Sequence, residues 1–165
     1  MGRASMKDEP VTRPPQRSPT EKENSLYLAH TREMRESAAW RALPDIGRRV
    51  LDRLELEHLR HRLMQNGGLI CRYEDFEEWG LRRASIRFGI EVAVALGFVE
   101  IIRRGWKSVP SLYRLTYVKS FKDKPPITNE WRRIKTAREA RDVIKDVLAE
   151  LDREKDQRKA RKSVK

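Results

Sequence analysis

The chain has 165 residues, enough for one modest domain with tails. Lys and Arg total 37 against 25 Asp and Glu, a net charge of +12, and hydrophobic and charged residues each make up 38%. That balance closes one small core and leaves a cationic surface suited to polyanions. No apolar run reaches the roughly 18–20 residues of a membrane span, and the first 24 residues lack the apolar block of a signal peptide. The single cysteine, Cys71, excludes an intrachain disulfide and a thiolate zinc cluster. The expectation is a cytoplasmic, nucleoid-associated protein with no membrane contact, no cofactor and no metal.

Residues 1–35 carry Pro10, Pro14, Pro15 and Pro19 among Arg, Ser, Glu and Lys, and are expected to form a disordered tail. A folded domain is expected over 36–120. Pro44 suits a first helical position, and Ile46, Val50, Leu51, Leu54, Leu59 and Leu63 predict a helix over 45–63. Asn66-Gly67-Gly68 would end it. Leu69-Ile70-Cys71 predicts a short strand. Residues 73–79 predict an acidic helix with Phe76 and Trp79 both turned inward. After Gly80 a second helix is predicted over 82–96. Ile86, Ile90, Ala93, Val94 and Leu96 form its buried stripe, while Ala84, Arg87, Phe88 and Glu91 fall outward.

Residues 98–104 and 112–118 predict the strands of a hairpin around a loop over 105–111. Tyr113, Leu115 and Tyr117 take its buried face, and Arg114 and Thr116 the other. A linker over 121–127 holds Pro125-Pro126. A C-terminal helical segment is expected over 128–156. Its capping box pairs Thr136 with Glu139, and its apolar stripe comprises Ala140, Val143, Ile144, Val147, Leu148 and Leu151. Residues 157–165 read as a basic tail.

A helix-turn-helix followed by a basic hairpin is the outline of a winged helix. The expected fold is mainly α with a small antiparallel β wing and an added C-terminal helix. In such an outline Arg82, Arg83, Ser85 and Arg87 would face the major groove. Arg103, Arg104 and Lys107 would hold flanking phosphates. Phe88 would meet a thymine methyl group or pack on a neighbouring segment. Trp106 reads as a lid over the sheet rather than a sugar contact. The acidic helix, with Glu74, Asp75, Glu77 and Glu78, must face away from phosphates or else mark a protein-docking surface.

Glu55, His58 and His61 have a spacing found in helical metal sites. The sequence holds no second E-x-x-H, so they read as charge pairs along a helix. No nucleophile elbow, phosphate loop or dinucleotide fingerprint is present, and no enzyme activity is expected.

Several runs carry a resemblance. They include Trp40-Arg41-Ala42-Leu43, Arg49-Val50-Leu51-Asp52-Arg53 and Asn66-Gly67-Gly68-Leu69. The longest is Tyr73-Glu74-Asp75-Phe76-Glu77-Glu78-Trp79-Gly80-Leu81-Arg82-Arg83-Ala84-Ser85-Ile86. Ala95-Leu96-Gly97-Phe98-Val99-Glu100, Pro110-Ser111-Leu112-Tyr113-Arg114-Leu115-Thr116-Tyr117 and Thr128-Asn129-Glu130-Trp131-Arg132-Arg133-Ile134 complete the set. Over residues 38–142 the chain resembles small helix-turn-helix proteins of alphaproteobacterial plasmids, integrative elements and phage-like regions, sometimes labelled replication-protein-like. The sequence departs from that group at Phe88 and Glu91, where smaller or basic residues are expected.

The resemblance implies a winged-helix fold. The resulting expectation is sequence-specific binding of double-stranded DNA, as a transcriptional regulator or replication accessory of a mobile element. The alternative is a protein-interaction module without direct DNA readout. Phe88, the acidic helix and the 136–154 helix would then contact a partner, with a homodimer through that helix as one form. RNA binding is a third, weaker expectation.

Overall fold

A computed structural model describes residues 25–106, 109–119 and 126–163. The first helices among the described residues are two short ones, α1 (Arg32–Glu36) and α2 (Ala38–Ala42). The Thr31 hydroxyl accepts from the Met34 amide at 3.2 Å, and the Ser37 hydroxyl accepts from the Trp40 amide at 3.1 Å. Each cap satisfies an amide that the helix itself leaves open. Met34, Ala39 and Trp40 are buried. This corrects the expected tail: residues 1–24 lie outside the described residues, but the end of the 1–35 stretch belongs to the core. His30 helps fix it, donating from Nε2 to Glu55 at 2.7 Å and lying 5.0 Å from the Trp40 ring.

The long helix α3 (Asp45–Arg60) stops three residues short of the expected end. Arg62 and Leu63 adopt left-handed backbone with φ of 53° and 60°, and the Leu63 amide donates to the His58 carbonyl at 2.9 Å. The chain then forms β1 (Leu69–Ile70), α4 (Tyr73–Glu78), α5 (Arg83–Ala95), β2 (Val99–Arg103) and β3 (Leu112–Leu115). α3 and α5 pack closely at Gly89, where a Cβ would meet Val50 Cγ2 at 2.9 Å and the Ile46 carbonyl at 3.0 Å. In α4 Phe76 is fully buried, but Trp79 is 42% exposed, contrary to its expected inward face. The Trp79 amide still donates to the Asp75 carbonyl at 3.2 Å, but the residue caps the helix and the chain turns away through Gly80 at φ 85°, so its ring lies at the end of that face and is only partly covered.

The strands make one antiparallel sheet in the order β1-β3-β2, with Leu69 opposite Tyr113 and Val99 opposite Leu115. As the central strand, β3 is covered on both faces. Tyr113, Arg114, Leu115 and Thr116 are all buried, which corrects the expected alternation. Burial of Arg114 is compensated by Glu100, which accepts from its Nε at 2.6 Å. The Thr116 hydroxyl donates to the Gly97 carbonyl at 2.7 Å. Beyond β1 a side chain takes over the pairing. Asn66 donates from Nδ2 to the Leu115 and Val118 carbonyls at 2.8 and 2.7 Å, and accepts the Leu115 amide at 2.7 Å.

Gly97, at φ 84°, lets a 3-10 turn (Glu130–Arg133) lie directly on the end of α5. A Cβ there would stand 2.5 Å from the Glu130 carbonyl carbon. Trp131 is buried, and Arg133 donates to the Ala95 carbonyl at 2.7 Å. α6 (Ala137–Ser163) follows, its 27 residues spanning about 40 Å. It packs on α2 and α5, with Ala140 and Leu151 buried and Val143, Ile144 and Val147 partly covered. Most of the stripe expected to join a second copy thus packs within the chain, while its Leu148 is 46% exposed. The helix also continues past the expected end at 156, through most of the basic tail.

Candidate nucleic-acid interface

The turn Trp79–Arg82 joins α4 to α5 and leaves Arg82, Arg83 and Ala84 exposed at the start of α5. The β2–β3 loop reaches toward the same end. Between them lies a groove of about 560 Å³, lined by Arg72, Tyr73, Glu74, Arg83, Trp106 and Val109, among others. Trp106 is 76% exposed at the loop's tip, which corrects the expected lid. Its backbone pairs with Val109 in an isolated bridge, so the ring stands off the sheet instead of folding over it. Arg103 donates to the Pro110 carbonyl at 3.4 Å, a long contact that leaves its charge exposed. Lys107 lies outside the described residues.

Carboxylates already engage several of the expected cations. Arg83 Nη1 donates to Glu77 at 2.5 Å and Glu74 at 3.2 Å, with its guanidinium 5.6 Å from the Tyr73 ring centre. Arg104 makes a two-pronged pair with Glu91 at 2.7 and 3.1 Å. Arg87 pairs with Glu154 of α6. Among the described residues Arg82 and Arg103 have no carboxylate partner. Exposed pairs such as that of Arg83 contribute little, so a phosphate can displace the carboxylate.

The middle of α5 differs from its start. Arg87, Glu91, Arg104, Val147, Leu151 and Glu154 line a second groove of about 340 Å³, where α6 lies along the helix. Arg133, just before α6, holds the last turn of α5, whereas Glu154 meets its second turn, so the two helices run antiparallel. Phe88 is half-buried against the core, not outward on a groove-facing surface, and Ser85 is half-buried. The fold therefore brings Arg82, Arg83 and Arg103 to one end and takes Arg87, Arg104 and Phe88 into packed or paired positions. Arg72 joins that end without a sequence signal, because only the folding of the hairpin over the start of α4 reveals it.

Two further groups are excluded as reactive centres. Burial pushes the Cys71 thiol up to about 12, so it is not a nucleophile at neutral pH. Glu55 accepts hydrogen bonds from His30 and from the Tyr117 hydroxyl, and Glu57 accepts from His61 at 3.1 Å. His58 is fully buried, and neither ring nitrogen has a hydrogen-bond partner among the described residues. The E-x-x-H spacing therefore serves packing and pairing, and no group of three His, Cys, Asp or Glu among the described residues can hold a metal. No described helix is long and apolar enough to cross a membrane. No family model, no curated protein and no solved structure matches the chain.

Proposed function

We propose that the chain is a winged helix-turn-helix protein that binds double-stranded DNA. The support is the order α3-β1-α4-α5-β2-β3 with the sheet order β1-β3-β2, which matches that outline. The single observation that carries the reading is the shared groove. Arg72 and Arg83 line it together with Trp106, which stands exposed at its rim; Arg82 adjoins Arg83 at the start of α5, and Arg103 reaches the carbonyl of Pro110 in the groove wall. The contact is this edge, not the middle of α5, because Arg87 is paired with Glu154 of α6. Cations on such an edge hold the duplex by phosphate contacts, and a projecting aromatic can press on a sugar or a base step.

Fluorescence anisotropy with a labelled duplex, titrated across salt, tests the proposal. Binding should weaken steeply with salt, and Arg82→Ala with Arg103→Ala should flatten the log–log slope by about 1.8, at roughly 0.9 per phosphate contact. Arg87→Ala should leave the slope unchanged, since its partner is Glu154. An unchanged slope in the Arg82/Arg103 pair would place the contact elsewhere.

One observation favours a second reading, docking on a protein. Ile70, Ile102, Trp106 and Val109 are each more than 40% exposed on or near the hairpin. An oligomer by light scattering that ignores duplex DNA would support that reading over the first.

A further inference from the structure

We propose that the far end of α6 is a second phosphate-holding element, facing the same way as the start of α5. This inference rests on the duplex-binding reading.

The face of α6 turned toward α2 and α5 follows a strict alternation of four and three residues. Ala140, Ile144, Val147 and Leu151 come first, and Glu154 then meets Arg87. A helix turns about 100° per residue, so the next positions of that seam are Arg158 and Arg161, with Lys162 beside them. The seam is apolar where α5 lies under it, acidic where it meets Arg87, and basic from there on. From Glu154 to Arg158 is about 6 Å along α6, and from Arg87 back to Arg83 is about 6 Å along α5. Because the helices run antiparallel, Arg158 comes level with Arg83, and Arg161 and Lys162 project beyond the end of α5.

Those three cations are exposed and have no carboxylate partner among the described residues. Lys155 and Lys159, on the flank of the seam, pair with Asp152 at 2.9 Å and Asp156 at 3.9 Å. The seam itself is therefore left as open positive charge. Nothing apolar covers residues 155–163, and the like charges of Arg158 and Lys162, four apart, repel along the helix. A polyanion running between this overhang and the start of α5 relieves that repulsion. The chemistry fits a sugar–phosphate backbone, which presents anionic oxygens at regular intervals on both sides of a groove.

The test compares the full chain with two triple variants in salt-titrated anisotropy on one duplex. Arg158→Gln, Arg161→Gln and Lys162→Gln alter the seam. Arg138→Gln, Arg141→Gln and Lys145→Gln remove the same charge from exposed positions off the seam, near the start of α6. All six are surface positions, and unchanged helical circular dichroism verifies folding.

The expected result is a seam variant whose slope is flatter by 1–3, at about 0.9 per phosphate, with the control variant unchanged. Equal flattening in both variants means a net-charge effect and overturns the inference, as does a seam variant that matches the unaltered chain. Either result leaves the duplex-binding reading standing. Failure of the unaltered chain to bind any duplex at low salt overturns both.

Discussion

His58 offers a direct test of how the core tolerates a polar ring. Its side chain is fully enclosed on α3, and neither nitrogen has a hydrogen-bond partner among the described residues. An unsatisfied buried polar group costs about 1–3 kcal/mol. Leucine has nearly the volume of the ring and no polar atom. His58→Leu should therefore stabilise the fold by about 1–3 kcal/mol at pH 7.5, with part of the gain lost to imperfect shape.

The pH dependence gives a second handle. Burial, reinforced by His61, holds His58 below its ordinary 6.5. The unfolded chain then binds the proton more readily than the folded one. Its contribution is intact above 6.5 and is lost as pH falls, by up to about 1.4 kcal/mol per pH unit. Comparing the unaltered chain with His58→Leu by urea unfolding at pH 7.5 and 5.5, above the ordinary carboxylate range, isolates this effect. The unaltered chain should lose more stability over that interval than His58→Leu. A variant that is less stable at pH 7.5 and retains the same pH dependence would refute the reasoning.

Gly97→Ala should cost at least about 2 kcal/mol. A left-handed alanine is strained by roughly 1–2 kcal/mol, and its Cβ would collide with backbone atoms of Glu130 and Trp131 at 2.5–2.7 Å. Urea unfolding measures the loss, and a red shift of tryptophan emission would report release of Trp131. A loss below about 0.5 kcal/mol would mean that the 3-10 turn yields freely. Cys71 should resist Ellman's reagent at pH 8, since a thiol near 12 is about one part in ten thousand thiolate there. Labelling should become rapid in denaturant, and fast stoichiometric labelling of the native protein would contradict the enclosure.

The elements from Leu69 to Leu115 were legible because local signals agreed with one another. Gly80 separates two helices and Gly97 ends the second, both at positive φ, while the Val and Ile of β2 mark a strand. Sequence periodicity could not show what covers each face. β3 alternates polar and apolar residues, yet Arg114 and Thr116 are buried because Glu100 and the Gly97 carbonyl satisfy them. Phe88 looked outward only while α5 was considered without its neighbours. The expected site divided for the same reason. Arg82 and Arg83 are legible from their position at a helix start, which the chain fixes locally. The fate of Arg87 depended on Glu154, 67 positions away in sequence and brought near only by the antiparallel course of α6.

Asn66 has a consequence for how the hairpin acquires its frame. Its carboxamide serves as the last rung beside β3, holding Leu115 through both amide and carbonyl. Sliding β3 by one residue would turn its buried faces over and would also aim the nearest amide and carbonyl away from that carboxamide, leaving it without those partners inside the protein. The clip thus makes neighbouring alignments costly, and the chain can settle on a single pairing even though β1 is only two residues long.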